Sequence, residues 1–124
     1  MPVIRSTEGV AHALHGTTFT AYANSTTGTA ELCAWSTHIP AGQPAVPHRI
    51  SREEVFLVTA GHARFTIDDE SVQAQSGDVV VAPAGSLLSI EAIGDQDLTI
   101  WVTTSLGLTA KLADGSEFAP PWAQ

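Results

Sequence analysis

The sequence predicts an all-β protein, a small sandwich or barrel of short strands. Three observations carry this. Ten glycines, spaced along all 124 residues, cut the chain into short pieces. Between them lie β-branched and aromatic runs at 17–22, 55–59, 64–67, 79–81 and 98–104. Short strands at regular spacing with turn residues between them read as all-β. A long amphipathic helix has no place: the best helical candidate is one turn within 6–14, where Thr7-Glu8-Gly9-Val10 offers a weak cap.

The elements follow in order. His12 and His15 fall in an N-terminal region expected to be irregular and exposed. Trp35 and His38 lie on a strand before a Pro-rich connection at 40–47. Strand alternation puts Glu54, Phe56 and Val58 on one face and Val55 and Leu57 on the other. His62 follows Gly61 at a turn. The segment 67–72 is an acidic hairpin turn, read as turn chemistry and solubility, and 93–98 is a second one. Gly77-Asp78 turns the corner into a buried strand at 79–81, and Pro83-Ala84-Gly85 leads into the next. Trp101 sits on the strand at 98–104. The tail Pro120-Pro121-Trp122 is irregular, with Trp122 clamping it to the barrel or to a second subunit.

Length and charge bound the function. At 124 residues and 13.0 kDa the chain is one domain, 1–124. A domain of this size buries about two-thirds of its unfolded surface, enough for one core. Five basic residues against thirteen acidic ones give −8. That balance argues against nucleic acid, which needs a basic stripe, and against docking on anionic membranes. With 44% hydrophobic and 15% charged residues the chain is not disordered. The single Cys33 excludes an internal disulfide and a multi-cysteine zinc site; it reads as a small buried hydrophobe. No signal peptide or membrane-spanning run is visible, and with a free thiol this leads us to expect a cytoplasmic protein. No phosphate loop, dinucleotide fingerprint or nucleophile elbow is present.

One stretch carries a pattern. Gly42 is followed after five residues by His48, then by Ile50, Glu54 and, after six more residues, Gly61. Fifteen residues later Gly77 is followed at fixed spacing by Pro83, Gly85, Leu88 and Ala92. Together these resemble the two motifs of the cupin superfamily, in register, over about 30–104. The resemblance implies a single-domain cupin, a β-barrel or jelly roll of two antiparallel sheets. It also implies that the N-terminal arm and C-terminal tail lie outside the motif core, and that the protein forms a homodimer.

The departures from the motif shape the functional expectation. Metal-binding cupins place two His and a Glu in the first motif and a His in the second. The matching positions here are His48, Ile50, Glu54 and Leu88, so two ligands have become aliphatic, and the motif's closing Asn is Ala92. A tight divalent site needs three or four converging ligands. No cofactor is therefore favoured. The alternative is a weakly bound divalent transition metal on His48 and Glu54, with His38 as a rescued ligand.

His48 and Glu54 are the catalytic candidates, His48 as a proton shuttle and Glu54 as the carboxylate that orients it and stabilises its charged form. Ile50, Phe56, Leu88, His38 and Trp101 make up the expected pocket lining. The partner is a small molecule, which an arginine such as Arg49 at the pocket mouth would bias toward an anion. The expected function is that of a metal-independent isomerase, epimerase, cyclase or lyase. The alternatives are a metal-dependent dioxygenase or isomerase, and a non-catalytic binding protein. Fold alone does not choose among them.

Overall fold

The structure is a computed structural model, and it describes residues 3–124. Among the described residues twelve strands form two six-stranded antiparallel sheets. In chain order they are β1 (Val10–Leu14), β2 (Thr17–Ala23), β3 (Leu32–Ile39), β4 (His48–Ile50), β5 (Glu54–Ala60) and β6 (His62–Ile67), then β7 (Glu70–Gln75), β8 (Val79–Ala82), β9 (Leu87–Ala92), β10 (Leu98–Ser105), β11 (Ala110–Leu112) and β12 (Glu117–Phe118). The first sheet runs β1-β2-β3-β10-β5-β8 and the second β12-β11-β4-β9-β6-β7. This is the jelly-roll arrangement of an all-β chain.

Alternation builds the interior. In β10, Leu98, Ile100, Val102 and Thr104 are buried while the residues between them are half-exposed. In β5, Glu54, Phe56 and Val58 face inward, and Val55 and Leu57 outward. The sheets meet through Phe56 of β5 and Phe65 of β6, whose rings tilt by 59° at 5.2 Å. Such a pair adds ~0.5–1.5 kcal/mol beyond its buried area.

The N-terminal region differs from the expectation. Only Ser6–Glu8 forms a single 3₁₀ turn, and the chain then enters β1. The hairpin to β2 turns on His15 (φ 52°) and Gly16 (φ 76°). Two consecutive positive φ values are what a tight two-residue hairpin demands, and the glycine supplies one without strain. His12 thus lies on a strand, half-buried, with its ring 5.8 Å from that of Trp122, while His15 is exposed at the turn. The hairpin at 67–70 falls where the first acidic turn was read, whereas 93–98 is not a hairpin: it carries the chain from β9 of the second sheet to β10 of the first.

The tail closes one end of the sandwich. Pro121–Ala123 is a 3₁₀ turn, and Trp122 is 5% exposed. Gln124 Nε2 donates to the carbonyls of Leu108 (2.8 Å) and Pro120 (3.1 Å), and Gly107 N donates to Ala123 O. None of the described helical turns is long and apolar enough to cross a membrane.

Candidate functional site

A cavity of about 120 Å³ lies between the sheets at the end covered by the tail. Five aromatic rings line it: Phe19, Trp35 and Phe56 from the first sheet, Phe118 from the second, and Trp122 from the tail. Leu14, Val46, Leu88, Ile90 and Val102 add aliphatic surface. Five polar side chains reach it: His15, Thr17, Thr37, His48 and Glu54.

His48 and Glu54 enter from opposite sheets. His48 begins β4 of the second sheet, where it stands opposite Leu88 of β9. Glu54 begins β5 of the first, paired with Thr104 and Ala82. The three-residue bend 51–53 carries the chain across. Both side chains line the same cavity, yet neither a hydrogen bond nor an ion pair joins them. The expected Glu54-oriented imidazole is therefore corrected: facing sheets lie about 10 Å apart, and a nearer acceptor takes the proton. That acceptor is the Val46 carbonyl, 3.1 Å from His48 Nδ1. A carbonyl only accepts, so Nδ1 carries the hydrogen and Nε2 presents a lone pair.

Both groups are held neutral. Burial lowers the His48 pKa below 6.5, and the neighbouring His15 acts the same way, against the opposing pull of the Val46 carbonyl. Glu54 is 4% exposed, and its carboxyl has no hydrogen-bond partner among the described residues. Burial alone pushes its pKa up to about 8. Near neutrality the site pairs a carboxylic acid with a neutral imidazole, the reverse of the charged pair expected from sequence.

The remaining expected residues divide. Phe56 and Leu88 lie on the cavity wall. Ile50 does not: it is 1% exposed and packed in the core. His38 points out of the first sheet to Asp97, 3.1 Å away, because Trp35, Thr37 and Ile39 take the inward positions of β3. Trp101 also faces outward, beside Tyr22 at 5.7 Å, while its neighbours Ile100 and Val102 turn in. No arginine lines the cavity. Arg49 donates to Gly85 O (2.7 Å), Arg52 to Ser105 Oγ (3.2 Å) and Arg64 to Glu91 (2.7 Å).

Two wall residues carry polar or stacking roles not read from the sequence. Thr37 Oγ1 accepts from Trp35 Nε1 at 3.0 Å, which leaves its own hydroxyl hydrogen to donate. Trp122 stacks on Phe19 with centroids 4.0 Å apart. Thr37 was findable by alternation from Trp35; Trp122 had no local signal on this wall.

A domain model described as "Cupin domain" matches residues 35–104. The chain belongs to the cupin family. No curated protein matches it significantly. Solved structures similar to this cupin include an RmlC-like cupin from Shewanella frigidimarina. It shows 14% identity and a TM-score of 0.72, over 85% of this chain and 90% of that one. A predicted oxalate decarboxylase from Thermotoga maritima gives 19%, 0.69, 84% and 98%. A salicylate 1,2-dioxygenase from Pseudoaminobacter salicylatoxidans gives 21% and 0.66 over 77% of this chain, which spans 26% of that protein. The cupin domain of Schizosaccharomyces pombe Cnp3 is spanned to 63%. At these identities the likeness concerns the fold.

The family implies a metal, and the donor set can be tested against one. Ile50 and Leu88 offer no donor atom, and His38 faces away. Among the described residues no three His, Cys, Asp or Glu side chains gather where one ion could reach them. His48 and Glu54 alone do not make a three- or four-ligand site, so these residues do not fit the family's metal.

Proposed function

We propose that this cupin binds a small, uncharged carbonyl compound with a hydroxyl on the neighbouring carbon, and that His48 and Glu54 move a proton on it without a bound metal. The observation that carries this is the placement of two neutral proton-transfer groups on opposite walls of one apolar cavity. A cavity of about 120 Å³ compares with the ~150 Å³ engineered cavity that takes up benzene. The fitting ligand thus has roughly six to eight heavy atoms. With no arginine on the wall, an anion would lose its hydration uncompensated.

The chemistry that suits this pair is enolisation. His48 Nε2 takes a proton from carbon next to a carbonyl. The freed electron pair forms the carbon–carbon double bond, and the carbonyl oxygen takes the Glu54 proton. On a substrate with a hydroxyl on that carbon, protonated His48 then returns its proton to the former carbonyl carbon while the hydroxyl gives its proton to the Glu54 carboxylate and becomes the new carbonyl, which isomerises the substrate. A positioned acid or base contributes ~10²–10⁴-fold. Thr37 stands ready to donate a second hydrogen bond to the substrate oxygen.

The test is a ligand-detected NMR screen of uncharged hydroxyaldehydes and hydroxyketones. It is followed by deuterium uptake at the α-carbon of each binder. We expect uptake that falls at least 100-fold in His48→Ala and in Glu54→Gln with folding retained. Binding without uptake supports a non-catalytic binding protein instead. Binding confined to anions overturns the proposal.

A further inference from the structure

The polar groups on the cavity wall are one-sided in charge. Among the described residues neither lysine nor arginine lines the cavity. What lines it offers acceptors. His48 Nε2 presents a lone pair, because Nδ1 donates to the Val46 carbonyl. The hydroxyls of Thr17 and Thr37 also reach the space.

The Glu54 carboxyl is the least satisfied of these groups. It is buried on the cavity wall and meets neither a hydrogen-bond donor nor a cation among the described residues. Native folds rarely leave a buried polar group without a partner. The partner that suits a carboxyl in such a place is a ligand with positive charge and N–H groups.

The surroundings select the same sign. At −8 the chain draws cations and repels anions. Five aromatic rings line the cavity, and aromatic faces attract cations within about 6 Å of the ring centre. The hydrocarbon of the ligand gains by leaving water for this apolar wall. Two donors are too few for a metal ion. An ammonium asks less, since its N–H groups need only acceptors.

We propose that the cavity takes a small protonated alkylamine, whose N–H groups bond the Glu54 carboxylate and the His48 Nε2 lone pair while its hydrocarbon end packs among the aromatic rings. The adjacent positive charge favours the ionised carboxylate, whose proton leaves to solvent. An ion pair away from water holds only if its remaining hydrogens are also bonded, and the threonine hydroxyls supply acceptors. A primary amine therefore fits better than a quaternary one, which has no N–H for His48. The space of about 120 Å³ again limits the ligand to roughly six to eight heavy atoms. The amine takes the place of the carbonyl compound proposed above, and its binding does not depend on proton transfer to that compound.

The test is calorimetric titration of the full chain with isopentylamine and its uncharged isostere isopentanol. It is run at about pH 8.5, where the Glu54 carboxyl, with a pKa of about 8, is mostly ionised and an alkylammonium keeps its charge as lysine does. We expect the amine to bind at least ~10-fold tighter than the alcohol, and the anion isovalerate not to bind. Glu54→Gln should bring amine and alcohol within about threefold of each other, since a neutral amide makes only ordinary hydrogen bonds. A wild type that binds the amine no tighter than the alcohol, or binds neither, overturns the proposal. So does a preference that Glu54→Gln preserves, which would put the amine on the acidic surface. Should the variant unfold, intermolecular NOEs on the wild type decide. The protons next to nitrogen must show NOEs to the His48 ring, and NOEs to surface residues alone overturn the proposal. Deuterium uptake by carbonyl compounds is a separate readout, so the two proposals fail independently.

Discussion

The rings of Phe19 and Trp122 stack with centroids 4.0 Å apart and planes within 3° of parallel. Phe19 belongs to β2 and Trp122 to the tail, so one contact joins chain segments a hundred residues apart and forms part of the cavity wall. Trp122→Ala removes both roles. Truncating a buried tryptophan costs ~3–5 kcal/mol, equivalent to a Tm decrease on the order of 12–19 °C in a domain of this size. Trp122→Phe keeps the stack and should cost less than half as much. Calorimetry of the two variants checks this, and equal losses would remove the stack from the account.

Glu54 gives stability a pH dependence whose sign follows from linkage. Its pKa is about 8 in the folded chain against an ordinary 4.5. The native state then holds a proton that the unfolded state releases. Its contribution is complete below pH 4.5, declines as pH rises and is lost through pH 8, a change of at most roughly 5 kcal/mol. Glu54→Gln keeps the shape and removes the titration. We expect the variant's Tm to be flatter than the wild type's from pH 5 to 8, and higher at pH 8. His48, whose pKa is lowered, works oppositely: its contribution is present above 6.5 and lost as pH falls. His48→Gln should remove that acid-side loss.

Local alternation made much of this legible. Glu54, Phe56 and Val58 share a face because they are two residues apart, and the motif spacing placed His48 and Glu54 near one interior. The same parity rule places His38 and Trp101 outside. Each is an odd number of residues from inward side chains on its strand, Trp35 and Ile39 for His38, Ile100 and Val102 for Trp101. Their assignment to the pocket came from chemistry without a parity count. Ile50 shares the inward face with His48, yet it packs into the core instead of reaching the cavity. Trp122 was beyond local reading, since only the tertiary return of the tail brings it to Phe19. The neutral state of the acid–base pair depends on burial and on the Val46 carbonyl, neither of which a motif encodes.

Cys33 should be chemically silent while the chain is folded. It is fully buried, with Sγ 3.6 Å from the Thr104 carbonyl, and burial pushes its thiol up to about 11 from 9.0. Reactivity follows the thiolate. At pH 8 the folded thiolate fraction is about 100-fold below that of an exposed thiol. A thiol reagent should therefore label the native chain at least 100-fold more slowly than the chain in denaturant. Comparable rates would show that the strand pair β3–β10 opens readily. Cys33→Ala should be better tolerated than Cys33→Ser, whose hydroxyl brings a stronger unmet polar demand of ~1–3 kcal/mol.

The aliphatic replacements in the motif can be reversed. Leu88 stands directly across from His48 on the adjacent strand, and Ile50 lies two residues along the same face of β4. Ile50→His with Leu88→His would add two imidazoles to His48 and Glu54, four donors in the number a divalent ion requires. Without metal the double variant should lose several kcal/mol, because two buried polar rings replace two core hydrophobes. With Ni²⁺ or Zn²⁺ it should recover much of that loss. Metal that binds only the folded state stabilises by ~4 kcal/mol at a thousandfold excess over Kd. The wild type should show a far smaller shift under the same titration, as two donors bind weakly. Thermal melts with and without metal, repeated at pH 6 and 8, separate the cases. Strong stabilisation of the wild type would mean that a third donor reaches His48 and Glu54. Failure of the double variant to gain would mean that strands β4 and β9 do not aim these positions at a common point.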